Sequence, residues 1–124
     1  MQYKFTRSAA KAVNDAAEAA LSGGQRYVGT EHLLLGLLYA RRGLAAQVLA
    51  KHHVEAQKVE ELIRQLIGGD EETDDASAAD YTPRCRRVLE LSAREAIRFK
   101  ASDIGTEHLL IALLKENDCV AVRL

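Results

Sequence analysis

The chain is poor in the residues that break or staple a fold. It has no tryptophan, a single proline (Pro83), two cysteines, four tyrosines and two phenylalanines in 124 residues. With one proline, few helices are interrupted from within. The two cysteines, Cys85 and Cys119, show neither a CxxC motif nor a metal-ligand spacing. They read as reduced thiols in a reducing compartment rather than as a disulfide framework. The amino terminus (Met1-Gln2-Tyr3-Lys4-Phe5) lacks the apolar region of a secretory signal. The longest apolar run, over 33–40, is far too short to cross a bilayer. These features together predict a soluble, cytoplasmic protein without a membrane partner.

Charge of one sign is also lacking overall. The formal net is −1, but its distribution is uneven. Asp70, Glu71, Glu72, Asp74, Asp75 and Asp80 fall within 68–80, a stretch without a single base. Setting those six acids aside leaves the remainder at +5. That excess is spread over helical segments as an ordinary solvated surface, and it is too weak to indicate nucleic acid.

What the chain does have is alanine, leucine and long charged residues, all helix formers. It also has a repeat. Gly29-Thr30-Glu31-His32-Leu33-Leu34 recurs letter for letter as Gly105-Thr106-Glu107-His108-Leu109-Leu110, 76 residues later. The match extends without a gap from residue 5 to residue 116, which marks an internal duplication. In the first copy, Thr6 caps a helix carrying an alanine-rich stripe (Ala9, Ala12, Val13, Ala16, Ala17, Ala20, Leu21) that ends at Ser22-Gly23-Gly24. Phe5 is placed to pack back on Ala9 or Ala10. A connector over 25–28 leads to a second helix, capped by Thr30, with Leu33, Leu34, Leu37 and Leu38 facing the core and Leu35 widening the stripe. Arg41-Arg42-Gly43 stops it. A third helix is predicted over 44–51, a turn at His52-His53, and a fourth helix over 54–67 with Val59, Leu62, Ile63, Leu66 and Ile67 inward.

Periodicity vanishes over 68–80, which reads as a flexible acidic linker. The second copy opens at Tyr81-Thr82, with Pro83 at the first helical position. Val88, Leu89, Ser92, Ala93, Ala96 and Ile97 repeat the first stripe, and Leu109, Leu110, Leu113 and Leu114 repeat the leucines. Residues 119–124 match 43–48, so the counterpart of the fourth helix is missing. The expectation is an all-α, pseudo-twofold domain of two four-helix repeats, 1–67 and 81–124, the second truncated. An apolar face near Leu110, Leu114 and Val120 would then be open to self-association.

Enzymatic motifs are not apparent. There is no GxxxxGK[ST] phosphate loop and no GxGxxG. His32 and His108 lie in no HExxH frame, and no Ser-His-Asp or Cys-His set has the right spacing. The two histidines are expected to be structural, bonding a neighbouring backbone group or packing between halves. A small helical enzyme using both is the rival reading. No catalytic residue and no metal ligand is assigned. Glu31 and Glu107 admit two readings. A carboxylate in a first helical turn simply suits the helix dipole. The same geometry also offers helix N–H groups to an anion and a carboxylate to a guanidinium.

The segments Phe5-Thr6, Val28 through Leu37 (VGTEHLLLGL), Tyr81-Thr82-Pro83 and the second GTEHLL resemble the amino-terminal domain of Clp-family AAA+ unfoldases, ClpC type, and resemble the ClpA and ClpB branches less. The resemblance spans almost the whole chain. It departs in the longer, acidic linker and the missing last helix. It implies a duplicated four-helix repeat that receives adaptor proteins and unfolded or marked substrates above an ATP-driven ring, which threads them to a ClpP-type peptidase. ATP and magnesium would belong to the parent AAA+ modules, and no cofactor to this chain. In some family members this domain reads phosphorylated arginine. The matching positions are Thr6 with Glu31 and Thr82 with Glu107, with Val28 and Ile104 lining the same pockets. A stand-alone accessory protein of the plastid ClpT type, which would place the chain in the plastid stroma, is the alternative.

Overall fold

The computed structural model describes residues 3–67 and 80–116. It is built from six helices: α1 (Arg7–Ser22), α2 (Thr30–Tyr39), α3 (Leu44–Lys51), α4 (Ala56–Ile67), α5 (Pro83–Arg98) and α6 (Thr106–Lys115). The sequence reading placed these correctly to within two residues. Both long helices start on a threonine. Thr6 Oγ1 accepts the Ala9 N–H at 3.2 Å, and Thr82 Oγ1 accepts the Cys85 N–H at 3.1 Å. Each bond satisfies one of the donors that a helix start leaves unpaired.

The shorter leucine helices begin differently from expectation. Gly29 and Gly105, not Thr30 and Thr106, occupy the N-cap positions. The threonines are the first helical residues and are buried. Thr106 Oγ1 instead accepts the Ala45 N–H at 3.2 Å, so it ties the start of α3 to the start of α6.

The alanine stripe of α1 is what lets α2 lie so close. Ala9, Ala12, Ala16 and Ala20 are fully buried. At Gly36 the two helices almost touch: a Cβ there would sit 2.0 Å from the Ala12 carbonyl oxygen. The core then spans both halves, joining these alanines and Leu33 and Leu37 to Val88, Cys85, Leu109 and Leu113. Each fully buried leucine contributes about 1.5–3 kcal/mol of transfer free energy. Leu34, Leu35 and Val59 form a second cluster, where α4 covers the outer face of α2.

Two apolar expectations, Ile97 and Leu62, fail at the surface, and Leu114 lies on the face expected to be open, whereas Leu110 on that face is buried. Ile97 is 75% exposed and Leu114 65%, and Leu62 on α4 is also exposed. The apolar stripes are wider than the partners laid against them. Phe5 is partly buried and packs against the core cluster that contains Ala9. It pairs with Ile104 as an isolated parallel bridge, and its ring lies 6.0 Å from that of Tyr3. Helix α4 starts at Ala56 rather than at 54. The side chains of Leu66 and Ile67, and Cys119 and Val120, lie outside the described residues. So does the expected acidic linker except for Asp80, which belongs to a short strand.

That strand is part of a feature absent from the sequence reading. β1 (Tyr27–Val28) and β2 (Asp80–Tyr81) pair in parallel, with Tyr27 opposite Asp80 and Val28 opposite Tyr81. Under the 76-residue offset, the Val28–Tyr81 pair maps onto Ile104–Phe5 with the halves exchanged. The pseudo-twofold relation is therefore realised by two parallel pairings, each joining the connector of one half to the lead-in of the other.

Candidate functional site: two crossed helix starts

The exchange decides where the candidate residues meet. The Thr82 N–H donates to the Val28 carbonyl at 2.9 Å, and the Thr6 N–H donates to the Ile104 carbonyl at 2.8 Å. Val28 and Ile104 are buried just before the two N-cap glycines. Thr82 thus stands beside the start of α2, and Thr6 beside the start of α6. Glu31 lies close enough to Cys85, in the first turn of α5, to act on its thiol electrostatically. The expected pairs were Thr6 with Glu31 and Thr82 with Glu107. Glu31 is on the side of Thr82 and Val28, and Glu107 follows Ile104, which is bonded to Thr6. The cause is topological: each lead-in threonine is held by the connector of the opposite half.

The glycine of each GTEH motif lies directly under that motif's carboxylate. A Cβ at Gly29 would lie 2.2 Å from Glu31 Oε1, and one at Gly105 would lie 1.6 Å from Glu107 Oε1. Both carboxylates fold back over the N-cap residue, where the helix dipole is positive. The histidines complete the start. His32 Nδ1 accepts the Gly29 N–H at 2.9 Å, and His108 Nδ1 accepts the Gly105 N–H at 2.8 Å. Each ring does the work that a glutamate or glutamine does in a capping box. Because Nδ1 accepts, the neutral ring carries its proton on Nε2. His32 is held below the ordinary histidine range, first by burial, with the Glu31 carboxylate opposing. The structural reading of both histidines therefore has a concrete bond behind it.

The two starts are not equivalent. The Glu31 side chain is 10% exposed and that of Glu107 is 40% exposed. Glu31 Oε1 lies 3.5 Å from His32 Nδ1, but that nitrogen already accepts from Gly29 and cannot donate to it. Cys85 crowds the first site, and burial and Glu31 push its thiol up to about 12. Its counterpart at the second site is Ala9. At the margin of the first site Asp80 and Arg86 pair at 2.7 Å, and the arginine holds the Asp80 carboxyl below its usual range. Lys4 and Ala10 stand at those positions on the other side. Among the described residues, no three His, Cys, Asp or Glu side chains gather where a metal could be held. No single described helix is long and apolar enough to cross a membrane.

The chain is thus a doubled, all-α module with two polar helix starts at the seam of its halves. The family model of the Clp repeat (R) N-terminal domain matches residues 4–124, and the chain belongs to that family. It is 40% identical over 120 residues to the "ATP-dependent Clp protease ATP-binding subunit ClpC" of Staphylococcus saprophyticus, and 39% identical to that of Staphylococcus aureus strain USA300. In both cases 97% of this chain is covered but only 14% of the relative, so the chain spans about a seventh of the length of those subunits. Among solved structures, the N-terminal domain of ClpD from Arabidopsis thaliana superposes with a TM-score of 0.77 at 22% identity, covering 97% of this chain and 83% of that one. The Hsp104 N-terminal domain of Candida albicans gives 0.72 at 20% identity, covering 91% and 75%. These likenesses establish the all-α fold.

Proposed function

We propose that the chain is the non-catalytic, protein-binding module of a ClpC-type unfoldase. It receives adaptors and unfolded or marked proteins for an AAA+ ring and a ClpP-type peptidase. We further propose that its two helix starts take phosphorylated arginine, one with Val28, Thr82 and Glu31, the other with Ile104, Thr6 and Glu107. The observation that carries this reading is the crossed pairing, which puts a helix N-terminus, a threonine and a carboxylate at one seam, twice. The helix start favours the phosphate. The carboxylate suits the guanidinium through charge-assisted bonds. The apolar Val28 or Ile104 side chain borders the ligand.

The test is a calorimetric titration with free phosphoarginine. A charge-assisted hydrogen bond is worth roughly 1.5–3 kcal/mol, so losing one glutamate weakens its site by about tenfold or more. Glu31→Ala together with Glu107→Ala abolishes binding if the sites are as described. Unchanged affinity in the double variant overturns the phosphoarginine reading.

A further inference from the structure

The duplication gives each surface helix a counterpart for comparison, and the outer faces of α1 and α5 have parted in charge. Arg84, Arg87, Arg94 and Arg98 share one side of α5 with Glu90 and Leu91, a net of +3. Their counterparts under the repeat offset, Ser8, Lys11, Glu18 and Ser22 with Asn14 and Asp15, sum to −1. At 3.6 residues per turn, Arg87, Arg94 and Arg98 fall within about 40° of one another and run along about 16 Å of helix. The basic residues that look scattered in sequence order are here gathered on one side of one helix, and all four arginines are exposed.

That exposure does not depend on a third or fourth helix in the second half. Lys11, Glu18 and Ser22 of the first half are exposed with α3 and α4 both in place. The positions of Arg87, Arg94 and Arg98 therefore lie outside the surface that a complete repeat covers. The pairing differs as well. On α1 the cation is met from its own helix, with Lys11 Nζ 2.5 Å from Asp15 Oδ2. On α5 the aspartate position is Leu91, half-buried, so Arg87 has no such neighbour. Arg87 reaches Glu116 at 3.3 Å through Nη1, shares it with Arg84 at 3.9 Å, and keeps a side chain 67% exposed with donors to spare. Arg98 comes no nearer than 4.0 Å to Glu95 Oε1, which already accepts from Lys115. Among the described residues, Glu90 and Arg94 have no ion-pair partner. Arg94 and Arg98 stand four apart, a spacing at which like charges on a helix repel.

A row of guanidinium groups that the chain itself leaves unsatisfied fits carboxylates, which arginine binds in a planar, two-pronged geometry. We propose that this stripe of α5 is the docking surface for an acidic segment of a partner protein, with carboxylates spaced to follow Arg87, Arg94 and Arg98. Leu91, in the middle of the stripe, adds an apolar contact. The inference rests on the reading of the chain as a protein-binding module, and it uses none of the residues of the two helix starts.

The probe is a fluorescently labelled oligo-glutamate of about eight residues, which when extended is longer than the stripe. It is titrated into the 124-residue chain and followed by anisotropy. Saturable binding at about 0.01 M salt, weakening at about 0.15 M, is expected. Arg87→Glu combined with Arg94→Glu and Arg98→Glu should weaken it by about tenfold or more, since each attraction becomes a repulsion. Arg41→Glu combined with Arg42→Glu and Arg64→Glu changes the net charge equally on other surfaces, and should leave binding nearly unchanged. Helical circular dichroism and the urea midpoint of each triple variant establish that it is folded. Absence of binding, or equal losses in the two triple variants, overturns the proposal. An oligothymidylate of matching charge that binds more tightly, and is released by the same three changes on α5, assigns the stripe to nucleic acid and overturns the partner reading. Binding that appears only when Asp70→Asn, Glu71→Gln, Glu72→Gln, Asp74→Asn and Asp75→Asn are combined assigns the stripe to the chain's own acidic run, and overturns it too. Failure here leaves the two helix starts, and the phosphoarginine titration that tests them, untouched.

Discussion

The two GTEHLL helices share six residues and differ in almost everything that touches them. α2 is pressed against α1 through Gly36 and covered by α4, and its Glu31 is enclosed beside Cys85. α6 has Ala112 in place of Gly36, an exposed Leu114 and a Glu107 that reaches solvent. An identical motif thus fixes only what its own residues do: the glycine under the carboxylate, and the histidine on the glycine N–H. Burial, titration and access come from neighbours that the duplication has let diverge.

That contrast is sharpest where backbone meets backbone. Gly36→Ala would drive a Cβ into the Ala12 carbonyl, and we expect a loss of about 3 kcal/mol, at the upper end of ordinary overpacking costs. The mirror change, Ala112→Gly, should cost only about 1 kcal/mol, the usual penalty of glycine within a helix. Urea unfolding of the two variants reads both. Equal losses would erase the distinction between the tight and the loose helix pair.

The caps come next. His32→Ala removes the acceptor of the Gly29 N–H and should cost about 1 kcal/mol, the typical worth of a capping interaction. The pH dependence follows from the depressed His32 value. The unfolded chain takes up this proton at higher pH than the folded chain does. The stability is therefore fully present above the ordinary histidine value of 6.5 and is lost as pH falls below it toward the folded value. His32→Gln keeps an acceptor without a titration, so its urea midpoint should fall less between pH 7 and pH 5.5, a range set around about 6.5. A slope as steep as that of the unaltered chain would sink the assignment.

A smaller effect separates the ends of α1 and α5. Gly24 adopts φ 73°, and its counterpart Lys100 adopts φ 58°, a left-handed conformation that a side chain disfavours. Lys100→Gly should raise stability by about 1 kcal/mol, and Gly24→Lys should lower it by a similar amount. The smallest expected effect is at Leu114. Leu114→Ala should change stability by less than about 0.5 kcal/mol, as an exposed side chain, while Leu38→Ala under α4 costs more. Thermal unfolding of the pair would show whether α4 accounts for the difference.

Much of this was legible from residue order alone. Helix limits were readable because Thr6, Thr82 and the glycine-rich stops act locally, and the repeat because it needs no gap. The apolar stripes were readable because their period is strong, yet Ile97 and Leu62 were misplaced. A stripe shows that a face is apolar and says nothing about whether anything lies on it. The crossing of the two helix starts was not legible. It rests on two-residue parallel pairings between segments far apart in sequence, which have no periodicity to read. The N-cap of α2 was missed for a related reason: Thr30 looks like a cap locally, but Gly29 is the N-cap and its N–H donates to the His32 ring three residues on. A GxxH spacing at the head of an apolar run was the signal available for it.

The crossed arrangement itself can be tested by titrating phosphoarginine into Thr82→Ala, Glu31→Ala, Glu107→Ala and the paired variants. Thr82 and Glu31 should be coupled: in their double variant one site is lost no more completely than in Glu31→Ala alone. Thr82 and Glu107 should be additive, because they belong to different sites. Coupling of Thr82 to Glu107, with additivity toward Glu31, would contradict the crossed assembly of the two sites.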